Sequence, residues 1–286
     1  MLLIAGFGNY TRAQVKVNVI EKTVKKEFDY TGEKIIILGE KSDISIQKWE
    51  GKKVKVQISL IAKNPSKTRA EKDIDILQYS VSQTADAIKL SNFFRSDRIV
   101  DVSSNLSVEY FIYVPSACNV EIKNLYGKTD IANVSISGKI DNSFGSVSLR
   151  NISGKLDVDL YYSNLSGTGT RGELNIGAKN SDLFMKDLAG KNTINTTYGE
   201  INIEPSKDLK ALDILSQRSS VIIVTDNFGY YNYELDAYKD QIILPAKYSP
   251  SVTKESGGSL FRQSSHTNNA SVKIKTTYCP ITIKSN

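Results

Sequence analysis

Residues 144–176 read FGSVSLRNISGKLDVDLYYSNLSGTGTRGELNI, and the stretch repeats itself at a fixed distance. Gly145 and Ser163 are 18 residues apart, as are Gly154 and Gly172. Working outward, Gly127, Gly145, Ser163, Ser181 and Gly199 form one series, and Gly154, Gly172 and Gly190 fall nine residues off it. YGKTDI, FGSVSL, YSNLSG and YGEINI surround the first series; SGKLDV, RGELNI and AGKNTI surround the second. A fixed period of small residues, with apolar positions two and four places later, is the signature of a solenoid. The expected inward positions are Val147, Leu149, Leu165, Leu183, Met185, Ile201 and Ile203 in one series. In the other they are Leu156, Val158, Leu174, Ile176 and Ile194. Each 18-residue coil then supplies two short strands and two turns, with the small residues at the turns. The fold class expected is all-β, a β-solenoid or β-helix-like stack with an N-terminal β cap region. Four to five coils at the strand spacing make a stack about 23 Å long.

The rest of the chain divides around this block. Residues 1–13 read as the remnant of a signal peptide, 14–115 as an N-terminal β region continuous with the solenoid, and 116–205 as the regular repeats. Residues 206–286 read as irregular C-terminal coils with an exposed loop or hairpin at 249–270 and a capping strand. In the N-terminal third Val15, Val17 and Val19 alternate with polar residues, residues 34–39 form a buried run, and Ile44, Val54, Val56, Ile58 and Leu60 mark strands. Residues 78–96 are the least regular part, a lid or cap, and the best helical candidate is a weak one at 82–94. The last repeat, Tyr278-Cys-Pro-Ile-Thr-Ile283, copies YGEINI with Cys279 in the glycine place. It reads as a final coil or terminal cap.

Leu2 to Gly8 is an apolar run, and Thr11 and Ala13 suit a signal-peptidase site before Gln14. The basic leading segment of a signal peptide does not precede the run, so the start is expected upstream of Met1. The other reading is a buried first strand. The run is too short to span a bilayer. The net charge is +6. Residues 14–73 hold 14 Lys/Arg against 9 Asp/Glu, and residues 74–286 hold 22 of each. A diffuse basic excess with interleaved acids describes a solvated surface, and no dense patch or motif for nucleic acid accompanies it. Cys118 and Cys279 lie in no metal spacing and read as free, half-buried thiols.

The Tyr-Gly-x-Ile-x-Ile pattern, repeated with Gly-Lys-Leu-Asp-Val, resembles the bacterial "putative adhesin" family, a strand-repeat domain of unknown function. Ile44-Ser-Ile46, Trp49-Glu-Gly51, Val54-Lys-Val56 and the strand ending at Val114-Pro115 extend the likeness over 15–283. Ser163, Ser181 and Cys279 depart from its glycines, and 249–270 interrupts it. The resemblance implies an exported β-helix-like protein, and the Ala13-Gln14 junction resembles signal-peptide ends common in Bacteroidetes. It brings no functional residues with it.

No catalytic, cofactor or metal residue is expected: the single histidine, His266, lies in a Ser/Asn loop, and no nucleophile-elbow, zinc or phosphate-loop motif occurs. Two ladders remain as candidate ligand surface. Asp141, Asp157 and Asn175 hold the same place after Gly-Lys-Ile, Gly-Lys-Leu and Gly-Glu-Leu, with Asp159 nearby. Their alternation with inward apolar residues turns them to water, and no structural Ca²⁺ is expected. Tyr126, Phe144, Tyr162, Tyr198 and Tyr278 each precede a small residue and stack into an aromatic row broken at Asn180. Burial and stiffening of an edge is the leading reading of that row; a rail for sugar rings is the other. Tyr230, Tyr231 and Tyr233 are a second aromatic cluster open to the same two readings. The function expected is an exported, non-enzymatic envelope protein that meets a cell-surface glycan, matrix or envelope protein, in the periplasm, on the outer membrane or outside the cell. A periplasmic stress or signalling accessory, its basic N-terminal third meeting an acidic partner or lipid, is the first alternative, and a β-helix polysaccharide-active enzyme the second.

Overall fold

The structure is a computed structural model and describes residues 16–95, 102–265 and 270–285. The signal-peptide reading of residues 1–13, Val15 and His266 lie outside the described residues. The described chain is all-β apart from one seven-residue helix and short 3₁₀ turns. The strands are β1 (Asn18–Asp29), β2 (Lys34–Glu40), β3 (Ser42–Lys48), β4 (Lys53–Asn64), β5 (Leu77–Gln83), β6 (Ala87–Phe94), β7 (Asn105–Val114), β8 (Ala117–Leu125) and β9 (Lys128–Ala132). They continue with β10 (Ser135–Arg150), β11 (Ser153–Thr168), β12 (Glu173–Lys179), β13 (Leu183–Val224), β14 (Asn232–Tyr238) and β15 (Ile242–Ile243). The last four are β16 (Thr253–Glu255), β17 (Gly258–Gln263), β18 (Ser271–Thr277) and β19 (Ile281–Lys284); helix α1 is Lys67–Asp73.

In the middle of the chain the pairing is parallel at a constant step of 18. Asn119 faces Ser137, Ser137 faces Lys155, Lys155 faces Glu173 and Glu173 faces Lys191; Lys128 faces Ser146, and Leu165 faces Leu183. Long β10 and β11 each bend at a corner and so contribute to two hydrogen-bonded rows. Every inward position named from the repeat is buried, from Val147 and Leu149 to Ile201 and Ile203. Strand alternation explains this, because residues two apart share a face.

The ends depart from that pattern, and the sheet as a whole is mixed. Strand β2 lies parallel between β6 and β8, and β3 lies parallel between β7 and β9, so residues 34–48 sit inside the stack. Antiparallel β5 covers β6, while β4 and then β1 extend from β7. The weak helical candidate at 82–94 and the irregular lid at 78–96 are therefore corrected: β5 and β6 form an antiparallel hairpin turning at Thr84–Ala87. The run at 34–39 alternates, with Ile35 and Ile37 fully buried and Leu38 48% exposed. Val17 and Val19 are exposed; β1 pairs along the edge of β4 and turns Ile20 and Phe28, on its other face, to the core.

The C-terminal repeat is not the outermost coil. Strand β18 pairs with β13 on one side and β14 on the other, and β19 lies likewise between β13 and β15. Beyond β14 lies β17, which pairs antiparallel with both β14 and β16, so that β16 takes the edge. Residues 249–270 thus include a hairpin that hydrogen-bonds to the sheet, with Phe261 buried.

Candidate functional site

The corners of the coils carry the exposed chemistry. Tyr126, Phe144, Tyr162, Asn180, Tyr198, Arg218 and Tyr278 all have φ between 49° and 61°, and Lys41 (49°) and Lys239 (61°) extend the series. This left-handed conformation costs an ordinary side chain about 1 kcal/mol. The stack holds it with backbone hydrogen bonds between corners: Tyr126 N donates to Ser143 O (2.9 Å), Asn180 N to Thr197 O (2.9 Å) and Tyr278 N to Tyr238 O (3.0 Å). The turn conformation thus belongs to the residue before the small one. The small residue answers a different demand. A Cβ on Gly145 would lie 1.9 Å from the Gly127 carbonyl oxygen, so the next coil leaves no room for it.

The aromatic row stacks as expected but is not buried. Tyr126, Phe144, Tyr162, Tyr198 and Tyr278 are 42–54% exposed, which corrects the burial anticipated for them. A left-handed corner points its side chain away from the core, so the rings cover one another and not the interior. Tyr126 and Phe144 stack at 5.1 Å and 20°, and Phe144 and Tyr162 at 5.6 Å and 8°. Tyr161 meets Tyr162 edge-on at 4.7 Å, with the Lys179 ammonium 5.8 Å from its ring. Beyond Asn180 the Arg218 guanidinium lies between two rings, 5.5 Å from Tyr198 and 5.9 Å from Tyr278, and donates to the Tyr198 hydroxyl. Tyr161, Lys179 and Arg218 were missed in the sequence. Arg218 follows Tyr198 by 20 residues, not 18, and a basic residue broke the aromatic pattern; Ser219 behind it was the signal available.

A polar file runs beneath this corner. Asn124 Nδ2 donates to Ser42 O (3.0 Å), Thr129 Oγ1 donates to Asn142 Oδ1 (3.0 Å), Asn142 Nδ2 donates to Ser163 Oγ (2.7 Å), and Ser163 N donates to Ser181 Oγ (3.0 Å). All are buried. Ser163 and Ser181 therefore depart from glycine to satisfy buried partners that water cannot reach.

The acidic ladder is arranged differently from its sequence reading. Asp157 and Asn175 share a row, but their partner in it is Lys139; Asp141 aligns with Asp159. Asp141 is 16 residues from Asp157, two short of the coil, and a shift of two keeps it on the same face. Lys139 Nζ lies 3.1 Å from Asp141 and 2.8 Å from Asp159, and those hydrogen bonds raise its pKa above the usual lysine range. Asn175 Nδ2 donates to Asp157 Oδ1 (2.7 Å). The face is a mixed-charge lattice. Tyr231 and Tyr233 are buried beside Phe228, Tyr248 and Phe261 and form a terminal aromatic core. Cys118 and Cys279 are free and fully inside; burial pushes the Cys118 thiol up to about 12. Among the described residues no helix is long and apolar enough to cross a membrane.

No family model and no curated protein matches the chain. Among solved structures, it is similar to one described as a "putative adhesin" from Bacteroides fragilis, at 13% identity over 93% of this chain and 97% of that one, with a TM-score of 0.46. A second, described in the same words and from Parabacteroides merdae, is 12% identical over 93% and 96%, TM-score 0.36. A third, described as a "putative lipid binding protein" from Parabacteroides distasonis, is 12% identical over 93% and 96%, TM-score 0.31.

Proposed function

We propose that this chain is an exported, non-enzymatic binding module of the cell envelope, wound as a solenoid in its 18-residue core, whose aromatic corner contacts a cell-surface or matrix glycan. The observation that carries the reading is the exposed row of corner aromatics, held in a left-handed backbone at a conformational cost. Buried, the rings would need no further account. Half exposed and extended along successive coils, they suit a ligand that is itself a repeating chain, since apolar ring surface favours contact with the C–H faces of sugars.

The periplasmic-partner reading rests on the basic N-terminal third. Much of that charge is already met: Lys22 pairs with Asp75, Lys34 with Glu121, Lys53 with Asp29 and Lys55 with Glu27. The enzyme reading rests on the acidic ladder, where Lys139 stands between Asp141 and Asp159 and the carboxylates face water.

The test has two parts. Protease shaving of intact cells that express the chain with a leader should cut it at the surface. The purified protein should then bind glycan- or matrix-coated surfaces, and Tyr162→Ala and Tyr198→Ala should each weaken that binding severalfold with little change in melting temperature. Variants that lose stability while binding is unchanged would return the row to a purely structural role.

A further inference from the structure

The aromatic row is interrupted once between Tyr126 and Tyr198, and the interruption is a slot with a ring on either side. Phe144 covers one face of Tyr162, and Arg218 lies against Tyr198 from the next coil. Asn180 stands at the corner between them, in the same left-handed conformation as its neighbours but with a side chain too short to fill the place of a ring. Tyr162 and Tyr198 are 50% and 42% exposed. Two coil spacings separate them, roughly 9.6 Å. A ring centred in that gap would lie about 4.8 Å from each neighbour, within the separation at which rings make contact. Flat rings fill the same spacing elsewhere in the row, at 5.1 and 5.6 Å, and a sugar ring with C–H groups on both faces can take the vacant place between Tyr162 and Tyr198.

The polar groups around the gap define the class of sugar. Lys179 and Asn180 flank it on the chain entering the corner. On the chain leaving it stand Asn164, Asp182 and Glu200, already tied to one another through the backbone: Asp182 N donates to Asn164 Oδ1 and Glu200 N to Asp182 Oδ1, both 2.9 Å. Lys179 and Arg218 balance Asp182 and Glu200, so the rim is neutral overall but rich in donors and acceptors. Such a rim suits hydroxyl groups better than a carboxylate or phosphate.

We infer that the slot over Asn180, between Tyr162 and Tyr198, binds one uncharged pyranose residue of a glycan chain. The inference rests on the glycan-facing reading proposed above and names a subsite within it. The experiment is calorimetric titration of the purified protein with cellohexaose, maltohexaose and mannohexaose, with polygalacturonate as the charged control. Asn180→Tyr continues the aromatic row and closes the slot. The expected result is binding to at least one neutral hexaose, at least tenfold weaker in Asn180→Tyr at an unchanged melting temperature, and unchanged in Tyr79→Ala, an exposed tyrosine on β5. Should Asn180→Tyr fail to fold, Tyr198→Ala removes one wall and should weaken binding to the same extent. Equal binding by a folded Asn180→Tyr would overturn the slot while leaving glycan binding standing. Binding to none of the neutral hexaoses, or a preference for polygalacturonate, would also overturn it; surface binding of the intact protein then judges the broader reading independently.

Discussion

At the corners two adjacent residues divide the work. The aromatic adopts the left-handed turn and stays outside, while the glycine behind it lets the carbonyl of the neighbouring coil pass. A methyl group on Gly145 has no free direction, so Gly145→Ala should lower stability by about 3 kcal/mol in denaturant titration. The backbone angle is not the cause, since Gly145 is not among the left-handed glycines. Gly172 has both constraints, a φ of 108° and a Cβ position 2.2 Å from the Gly154 carbonyl oxygen. The interior file of Asn142, Thr129 and Ser163 makes a second residue-scale prediction. Asn142→Leu keeps the branched shape but takes the acceptor from the Thr129 hydroxyl and the donor from the Ser163 hydroxyl, both buried, and should cost about 3 kcal/mol by the same measurement. Asn142 was invisible in the sequence as a core residue, because an asparagine at an inward position reads as polar until its partners are known.

Among the elements, α1 is tied down by its last residue. Buried Asp73 accepts from the amides of Ser103 and Ser104, at 3.2 and 3.0 Å, and from the Ser104 hydroxyl at 2.8 Å, which fixes the start of β7. Burial alone would raise its pKa; these hydrogen bonds, with Arg69 nearby, outweigh that and hold it below the usual carboxylate value. A depressed folded pKa stabilises above the unfolded value, ~3.9, and that contribution is lost as pH falls through the folded one. Asp73→Ala should therefore cost about 2 kcal/mol at pH 7. The difference from the unaltered protein should shrink below pH ~4, as chemical denaturation across pH would show. The hairpin β5–β6 was hidden for another reason. Its exposed Tyr79 and Phe93 blur the alternation that marks a strand, and its partners lie far away in sequence.

Over the whole molecule the decisive feature is the insertion of the C-terminal coil between β13 on one side and β14 and β15 on the other. Removing a cap would expose one edge. Removing residues 270–285 would leave two edges unpaired and empty the core places of Val272, Ile274, Ile281 and Ile283. The shortened chain should aggregate or elute as a broad species in size-exclusion chromatography, without a cooperative melt. A folded monomer would show that the coil is dispensable.

The 18-residue period, the buried face and the stacking of the aromatic row follow from the sequence itself; the exposure of that row does not. Alternation in a strand fixes which residues turn inward, and a constant step fixes which ones become neighbours. Tertiary structure alone decided the rest: that β2 and β3 lie inside the stack, that β18 and β19 are not its end, and that Arg218 completes the corner. These depend on contacts at steps such as 39, 60, 66 and 85 residues, set by how insertions fold aside. A local pattern holds no record of such steps, because any strand with the same alternation satisfies the same hydrogen-bonding edge.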